Sequence, residues 1–172
     1  MVLMARRIIG IVGGHSANTT PDALLLAEAV GAEIARRGYS IVCGAGDGVM
    51  EAACRGCRRA GGVTIGVLKG NSSHDANDHI DYPILTSMDV ASNNIIVWTA
   101  DGLIAFDGRY GTLNEVALAL DFGRPLVMVG RTGLLNVGAV TSDRFAFIKG
   151  YDLGQVSKVM DRLETMINRS DT

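Results

Sequence analysis

The sequence predicts an α/β chain built on one doubly wound parallel sheet with helices on both faces, and three observations predict it. Short, almost continuously apolar runs such as Ile8-Ile9-Gly10-Ile11-Val12 recur along the chain. Strands covered on both faces read this way, whereas half-exposed strands alternate apolar and polar. Between the runs lie stretches with apolar residues three and four positions apart, the spacing of a helix face. Most runs stop at or near a glycine and a helical pattern follows, so strands and helices alternate through short, right-handed connections. With 172 residues and 48% apolar content, one full core is affordable and two are not, so a single domain is expected over 1–172.

In chain order, Arg7 to Val12 is the first strand, and Gly13-Gly14-His15-Ser16-Ala17-Asn18 the loop after it. Thr20 is placed to cap a helix with Pro21 at its first position, Leu24, Leu25, Ala27, Val30, Ala32 and Ile34 along it, and Gly38 closing it. Tyr39 to Cys43 is a second strand, Gly44 to Gly48 a tight loop, Val49 to Ala60 a helix and Val63 to Leu68 a third strand. The polar stretch Gly70 to His79 reads as a surface loop that lies over a site, and Tyr82 to Thr86 as a short strand. Met88 to Thr99 fits a helix, 102–106 a strand, 112–122 a helix and Pro125 to Gly130 a last parallel strand. The stretch 131–148 fits neither pattern. Leu153 to Ile167 closes the chain as an amphipathic helix, with Val156, Val159, Met160, Leu163 and Met166 on one face. Trp98 and the methionines are expected in the core.

Composition narrows the function classes. The net charge is -2 and Lys and Arg are scattered, which gives no electrostatic footprint for nucleic acid. The apolar runs are too short to span a bilayer, and Met1 to Arg7 leads directly into a strand rather than into a signal core, so a cytoplasmic protein is expected. Cys43, Cys54 and Cys57 form an odd set suited to free thiols. Cys54-x-x-Cys57 has no second ligand pair, and His74, Asp75, Asp78 and His79 lie in a polar loop whose default is solvation, so no metal site is expected.

The chemistry points to the glycine loops. In an open parallel sheet, ligands bind beyond the carboxyl ends of the strands, where the strand order reverses. Three loops fall there: Gly13 and Gly14 with His15 and Ser16; Gly44, Gly46, Asp47 and Gly48; and Gly108, Arg109, Tyr110, Gly111 and Thr112. A helix that begins right after the last of these would aim unpaired backbone amides at an anion. Thr112-x-x-Glu115 also fits a capping box, in which Thr112 caps the helix and Glu115 reaches back, and the residues leave both readings open. G-x-G-x-x-G is missing after the first strand, and no acidic residue follows the second loop at the spacing that holds a ribose, so NAD is not expected. The pattern G-x-x-x-x-G-K-S/T is missing as well.

Cys43-Gly-Ala-Gly-Asp-Gly-Val-Met-Glu-Ala-Ala53 and Ala100-Asp-Gly-Leu-Ile-Ala-Phe-Asp-Gly-Arg-Tyr-Gly-Thr-Leu-Asn-Glu115 resemble the two signatures of the Lonely-Guy superfamily, whose fold is Rossmann-like. The similarity spans roughly residues 7 to 130. The superfamily was long labelled as lysine decarboxylases. One branch holds cytokinin-activating phosphoribohydrolases, which cleave the N-glycosidic bond of a nucleoside 5'-monophosphate; a sister branch resembles molybdenum-cofactor carrier proteins. The resemblance implies a homo-oligomer and a phosphorylated small-molecule ligand, either molybdenum cofactor or a nucleoside monophosphate. The enzyme motif P-G-G-x-G-T-x-x-E reads here Asp107-Gly108-Arg109-Tyr110-Gly111-Thr112-Leu113-Asn114-Glu115. Gly111, Thr112 and Glu115 persist, whereas the proline and one glycine do not. The upstream M-H-x-R-K element reads Met88-Asp89-Val90-Ala91-Ser92-Asn93-Asn94, and its arginine falls on Ala91, Ser92 or Asn93 according to register. An oxocarbenium-like transition state wants a carboxylate and a cation together, so Glu115 alone is half a mechanism unless Arg109 stands in. The resemblance therefore implies a carrier first, with Glu115 catalytic only if the chain is an enzyme.

Overall fold

The computed structural model describes residues 7–131 and 137–169. Its strands are β1 (Ile8–Val12), β2 (Ser40–Cys43), β3 (Thr64–Leu68), β4 (Tyr82–Leu85), β5 (Gly102–Ala105), β6 (Leu126–Gly130) and β7 (Phe145–Lys149). The helices are α1 (Pro21–Arg36), α2 (Val49–Arg59), α3 (Ser92–Thr99), α4 (Tyr110–Asp121) and α5 (Val156–Asn168). All strands pair in parallel in one sheet ordered β4-β3-β2-β1-β5-β6-β7. The chain therefore winds outward from β1 to β4, returns across the sheet through α3 and winds outward again from β5.

Successive side chains of a strand point to opposite faces, and the core divides accordingly. Ile9 and Ile11, Ile41 and Cys43, Ile104 and Phe106, and Val127 and Val129 pack with α1, α2 and α5. Val12, Val42, Leu103, Ala105, Leu126 and Met128 pack with α3 and α4. Both faces of the central strands are covered, which is why their sequences run continuously apolar.

Local signals explain the ends of α1. Ala23 N donates to Thr20 Oγ1 at 3.3 Å, so Thr20 caps the helix that Pro21 begins. At the other end Gly38 has φ +81°, Gly38 N donates to Ala35 O and Tyr39 N to Ile34 O, the pair of bonds of a Schellman motif.

Two expectations are corrected. Leu126–Gly130 is not the last strand, because Phe145–Lys149, at the end of the stretch that fitted neither pattern, pairs with it as an edge strand. Its first three residues are only half buried, so it lacks the continuous apolar signature of its neighbours; residues 132–136 of that stretch lie outside the described residues. Trp98 is not in the core but 56% exposed near the carboxyl end of α3, stacked on Phe122 with Arg124 over its ring. Met50, Met128, Met160 and Met166 are buried as expected, whereas Met88 is exposed. No helix among the described residues is long and apolar enough to cross a membrane.

Candidate functional site

The strand order reverses between β1 and β5, which are hydrogen-bonded neighbours although α1, β2, α2, β3, β4 and α3 separate them in sequence. The loops that leave their carboxyl ends diverge from a common root, where Gly14 N donates to Asp107 O at 2.7 Å. A cavity of about 500 Å³ opens above this point, within the range of small-molecule sites.

One wall is the start of α4. The helix begins at Tyr110 with Arg109 as its N-cap and no side chain capping it. Thr112 therefore lies inside the first turn and Glu115 in the second, which corrects the capping-box alternative. The Thr112 side chain instead packs back on Gly108, where a Cβ would fall 2.0 Å from Thr112 Oγ1. The first amides of an α-helix have no intrahelical acceptor. Here they open onto space: Gly111 and Thr112 line the cavity, and a Cβ built on Gly111 would meet nothing within 4 Å.

Among the residues expected to touch a ligand, Gly13, Gly14, Gly44, Gly46, Asn93, Arg109, Gly111, Thr112 and Glu115 line this one cavity. Ser16, Asp47, Gly48, Gly108 and Tyr110 do not. Gly48 caps α2 behind the loop, where a Cβ would lie 2.5 Å from Gly14 O, and Tyr110 is 73% exposed. Of the three positions open to the family arginine, only Asn93 reaches the cavity, and its Nδ2 donates to Asn114 Oδ1 at 2.8 Å, tying α3 to α4.

Sequence reading missed Asn18, Met50, Leu68, Lys69, Gly70 and Asp75, which complete the lining. Lys69 stands out only as a lone cation at the carboxyl end of a strand, while Gly70 and Asp75 fall in the polar stretch expected to lie over a site. The polar loop after it does lie against the site, since Asn77 Nδ2 donates to Ala45 O and Gly46 O and so clamps the β2 loop. Ala45 in that loop holds φ +61°.

Glu115 is 8% exposed and lines the cavity, and no hydrogen bond to its carboxyl group forms among the described residues. Burial pushes its pKa up to about 8, against a smaller opposing pull from Lys69. It is therefore mostly protonated at neutral pH and presents an O–H donor. In the loop after β1, His15 Nδ1 meets Asp47 Oδ1, and Ser16 Oγ and N both donate to Asp47 Oδ2. These bonds hold the Asp47 carboxyl below the usual carboxylate range. Below the cavity floor Cys43 Sγ lies 3.6 Å from Cys54 Sγ; both thiols and that of Cys57 are buried and unlinked. The hydrogen bond with Cys43 and then burial push the Cys54 thiol pKa up and keep it protonated, which makes it a packing group rather than a nucleophile. No group of three His, Cys, Asp or Glu among the described residues could hold a metal ion.

Comparison with known proteins gives the family and the fold. The family model described as the SLOG cluster4 family matches residues 6–159. The molybdenum cofactor binding protein of the phototrophic bacterium Rippkaea orientalis has the same fold, with a TM-score of 0.84 and 33% identity over 95% of this chain and 99% of that one. The molybdenum cofactor carrier protein of Chlamydomonas reinhardtii gives a TM-score of 0.74 and 32% identity, over 93% of this chain and 99% of that one. The cytokinin riboside 5'-monophosphate phosphoribohydrolase of Mycobacterium marinum is 32% identical over 168 residues, 91% of this chain and 86% of that protein.

Proposed function

The chain belongs to the SLOG cluster4 family, and from that premise we propose that it binds and carries a phosphorylated, nucleotide-like small molecule in the cavity above β1 and β5. The observation that carries this reading is the uncapped start of α4 facing open space, with Gly111, Thr112 and Arg109 on one wall. Exposed amides and a partial positive charge at a helix start favour a phosphate, and an arginine fork grips one with two bonds. The rest of the lining suits a flat heterocycle: Met50 and Leu68 offer apolar contact, and Asn93 and the protonated Glu115 offer polar contacts. A neutral Glu115 does not repel an anion.

Molybdenum cofactor is the cargo this reading favours, on the strength of the likeness to the Rippkaea and Chlamydomonas proteins. Assembly into a homo-oligomer belongs to the same reading; Tyr82, Ile84, Leu85, Met88, Val90 and Trp98 supply exposed apolar surface for it.

The second reading, hydrolysis of a nucleoside 5'-monophosphate, is favoured by the likeness to the Mycobacterium marinum protein and by Glu115 in the cavity wall. Against it stands the absence of a cation at Ala91, Ser92 and Asn93. Incubation of the purified protein with AMP and modified nucleoside monophosphates separates the two, with binding followed by calorimetry and free base by chromatography. Binding without base release is expected. Base release that depends on Glu115 would reverse the order of the readings, and failure of every phosphorylated ligand to bind would sink both.

A further inference from the structure

The start of α4 serves one wall of the cavity, and the imidazole of His15, which lines the same cavity, has no part in the proposed function so far. Resting on the proposed function, we propose that His15, oriented by Asp47, is a second contact for the ligand's phosphate and takes up a proton from solvent as the phosphate enters.

The geometry is specific. Asp47 engages the imidazole through one oxygen, at Nδ1 of His15, and accepts both donors of Ser16 with the other. Thr19 Oγ1 donates to His15 O at 2.9 Å and fixes the backbone on the other side. Gly46 leaves room for the ring, since a Cβ there would lie 3.2 Å from His15 Cε1. Two loops from adjacent strands thus hold one imidazole in one orientation. An imidazole has two nitrogens, and with Nδ1 held by a carboxylate the remaining one, Nε2, is engaged by no hydrogen bond among the described residues, while His15 lines the cavity.

The direction of proton movement follows. Neutral His15 keeps its proton on Nδ1, where Asp47 accepts it, and offers only a lone pair at Nε2. A phosphate dianion offers only acceptors, so the two repel until Nε2 gains a proton. The imidazolium then stands between two anions, Asp47 and the phosphate, which both favour it. No covalent bond forms or breaks, and the solvent supplies the proton. The other charged groups facing this space are Arg109, Lys69, Asp75 and Glu115. The two cations have no proton to gain, and Asp75 is a carboxylate on the 3-10 turn after β3. Glu115 is the competing acceptor, because a nearby anion would also raise its proton occupancy.

The test titrates AMP, and separately inorganic phosphate, into the full chain at pH 7.5 in several phosphate-free buffers of different ionisation enthalpy. The dependence of the observed heat on buffer gives the protons taken up. Net uptake is expected for the parent, with a part that persists in Glu115→Gln and disappears in His15→Gln. His15→Gln should also weaken AMP binding about tenfold, the size of one charge-assisted hydrogen bond. Asp47→Asn, which leaves His15 in place without its anionic partner, should lower the uptake and shift it to lower pH. A merely structural pair would change thermal stability and leave the proton count alone. Binding of AMP to His15→Gln with parental affinity and parental proton uptake would overturn this inference and leave the proposed function standing. Failure of the parent to bind either probe would overturn both.

Discussion

Two places in the molecule use glycine inside helices, and they do so for opposite reasons. Where α1 crosses α2, a Cβ on Gly31 would lie 2.0 Å from Ala53 O, and one on Gly56 would lie 1.9 Å from Glu28 O. The two backbones touch, and glycine there is repaid by packing. At the start of α4, Gly111 has nothing within 4 Å of where a Cβ would stand, so the protein itself gains nothing from the missing side chain. Glu115, one turn further on, repeats the contrast, because it is a buried carboxyl group with no hydrogen-bond partner among the described residues. Costs that are repaid inside the fold mark the scaffold; costs left unrepaid mark the place where something else is meant to bind.

The largest effect is expected at the scaffold glycines. Gly31→Ala and Gly56→Ala each force a methyl group into an opposing carbonyl, and the helices must separate. Overpacking of this kind costs up to about 3 kcal/mol per site. For a chain of this length each kcal/mol moves the thermal midpoint by roughly 2–4 °C, so each variant should melt roughly 6–12 °C lower, and the pair together should fail to give a cooperative melt. Midpoints within about 2 °C of the parent would mean that the α1–α2 seam is looser than described.

Glu115→Gln should act in the opposite direction and depend on pH. The folded state raises the pKa of this carboxyl from 4.5 to about 8, so between those values the folded state binds more protons than the unfolded one. Stability from this group is then highest below pH 4.5, falls as pH rises through the window and is lost above 8. Glutamine cannot ionise and escapes the loss. In urea titrations the variant should gain on the parent as pH rises, by a few kcal/mol at pH 9, with little difference near pH 4.5. An equal gap at both ends would show that Glu115 is not held neutral.

What the residues alone reveal follows from how local the cause is. The capping of α1 is local: Thr20, Pro21 and Gly38 act within one turn, and the helix ends where they say. β1 and β5 are legible because burial on both faces leaves a continuous apolar run. β7 is not, because an edge strand half open to solvent loses that signature. The start of α4 is ambiguous in the sequence because Thr112 and Glu115 satisfy a capping pattern three residues too late, and the helix has already begun at Tyr110, with Thr112 packed on Gly108. The glycine loops could be placed beyond the strand ends from order alone. Lys69 and Asp75 could not, since they meet Glu115 across a cavity only because the chain returns from β4 to the far side of β1. The same holds for His15 and Asp47, 32 residues apart yet on loops of adjacent strands.

Gly111→Ala is a smaller change that turns the comparison into a measurement with two signs. Alanine is the better helix residue by about 0.5–1 kcal/mol, and the added methyl group meets no atom of the protein, so the melting temperature should rise slightly. The same methyl group stands in front of the first amides of α4, and AMP binding should weaken about tenfold, or 1.4 kcal/mol. A loss of stability would place Gly111 with Gly31 and Gly56 as a packing glycine and remove the ground for a ligand there.

The smallest effect is expected one residue earlier. Tyr110, the first residue of α4, is 73% exposed and does not line the cavity. Tyr110→Ala should leave both stability and AMP binding within about 0.5 kcal/mol of the parent, as surface substitutions usually do. This variant is informative because its neighbours on both sides, Arg109 and Gly111, do line the cavity, so any general disturbance of the helix start would register in all three. If Tyr110→Ala alone weakened binding while the melting temperature held, the ring would have to reach the ligand in solution. The wall of the site would then be completed by a movement of the loop or by a second copy of the chain that presses Tyr110 inward, and sedimentation of the parent and variant with and without AMP would tell these two apart.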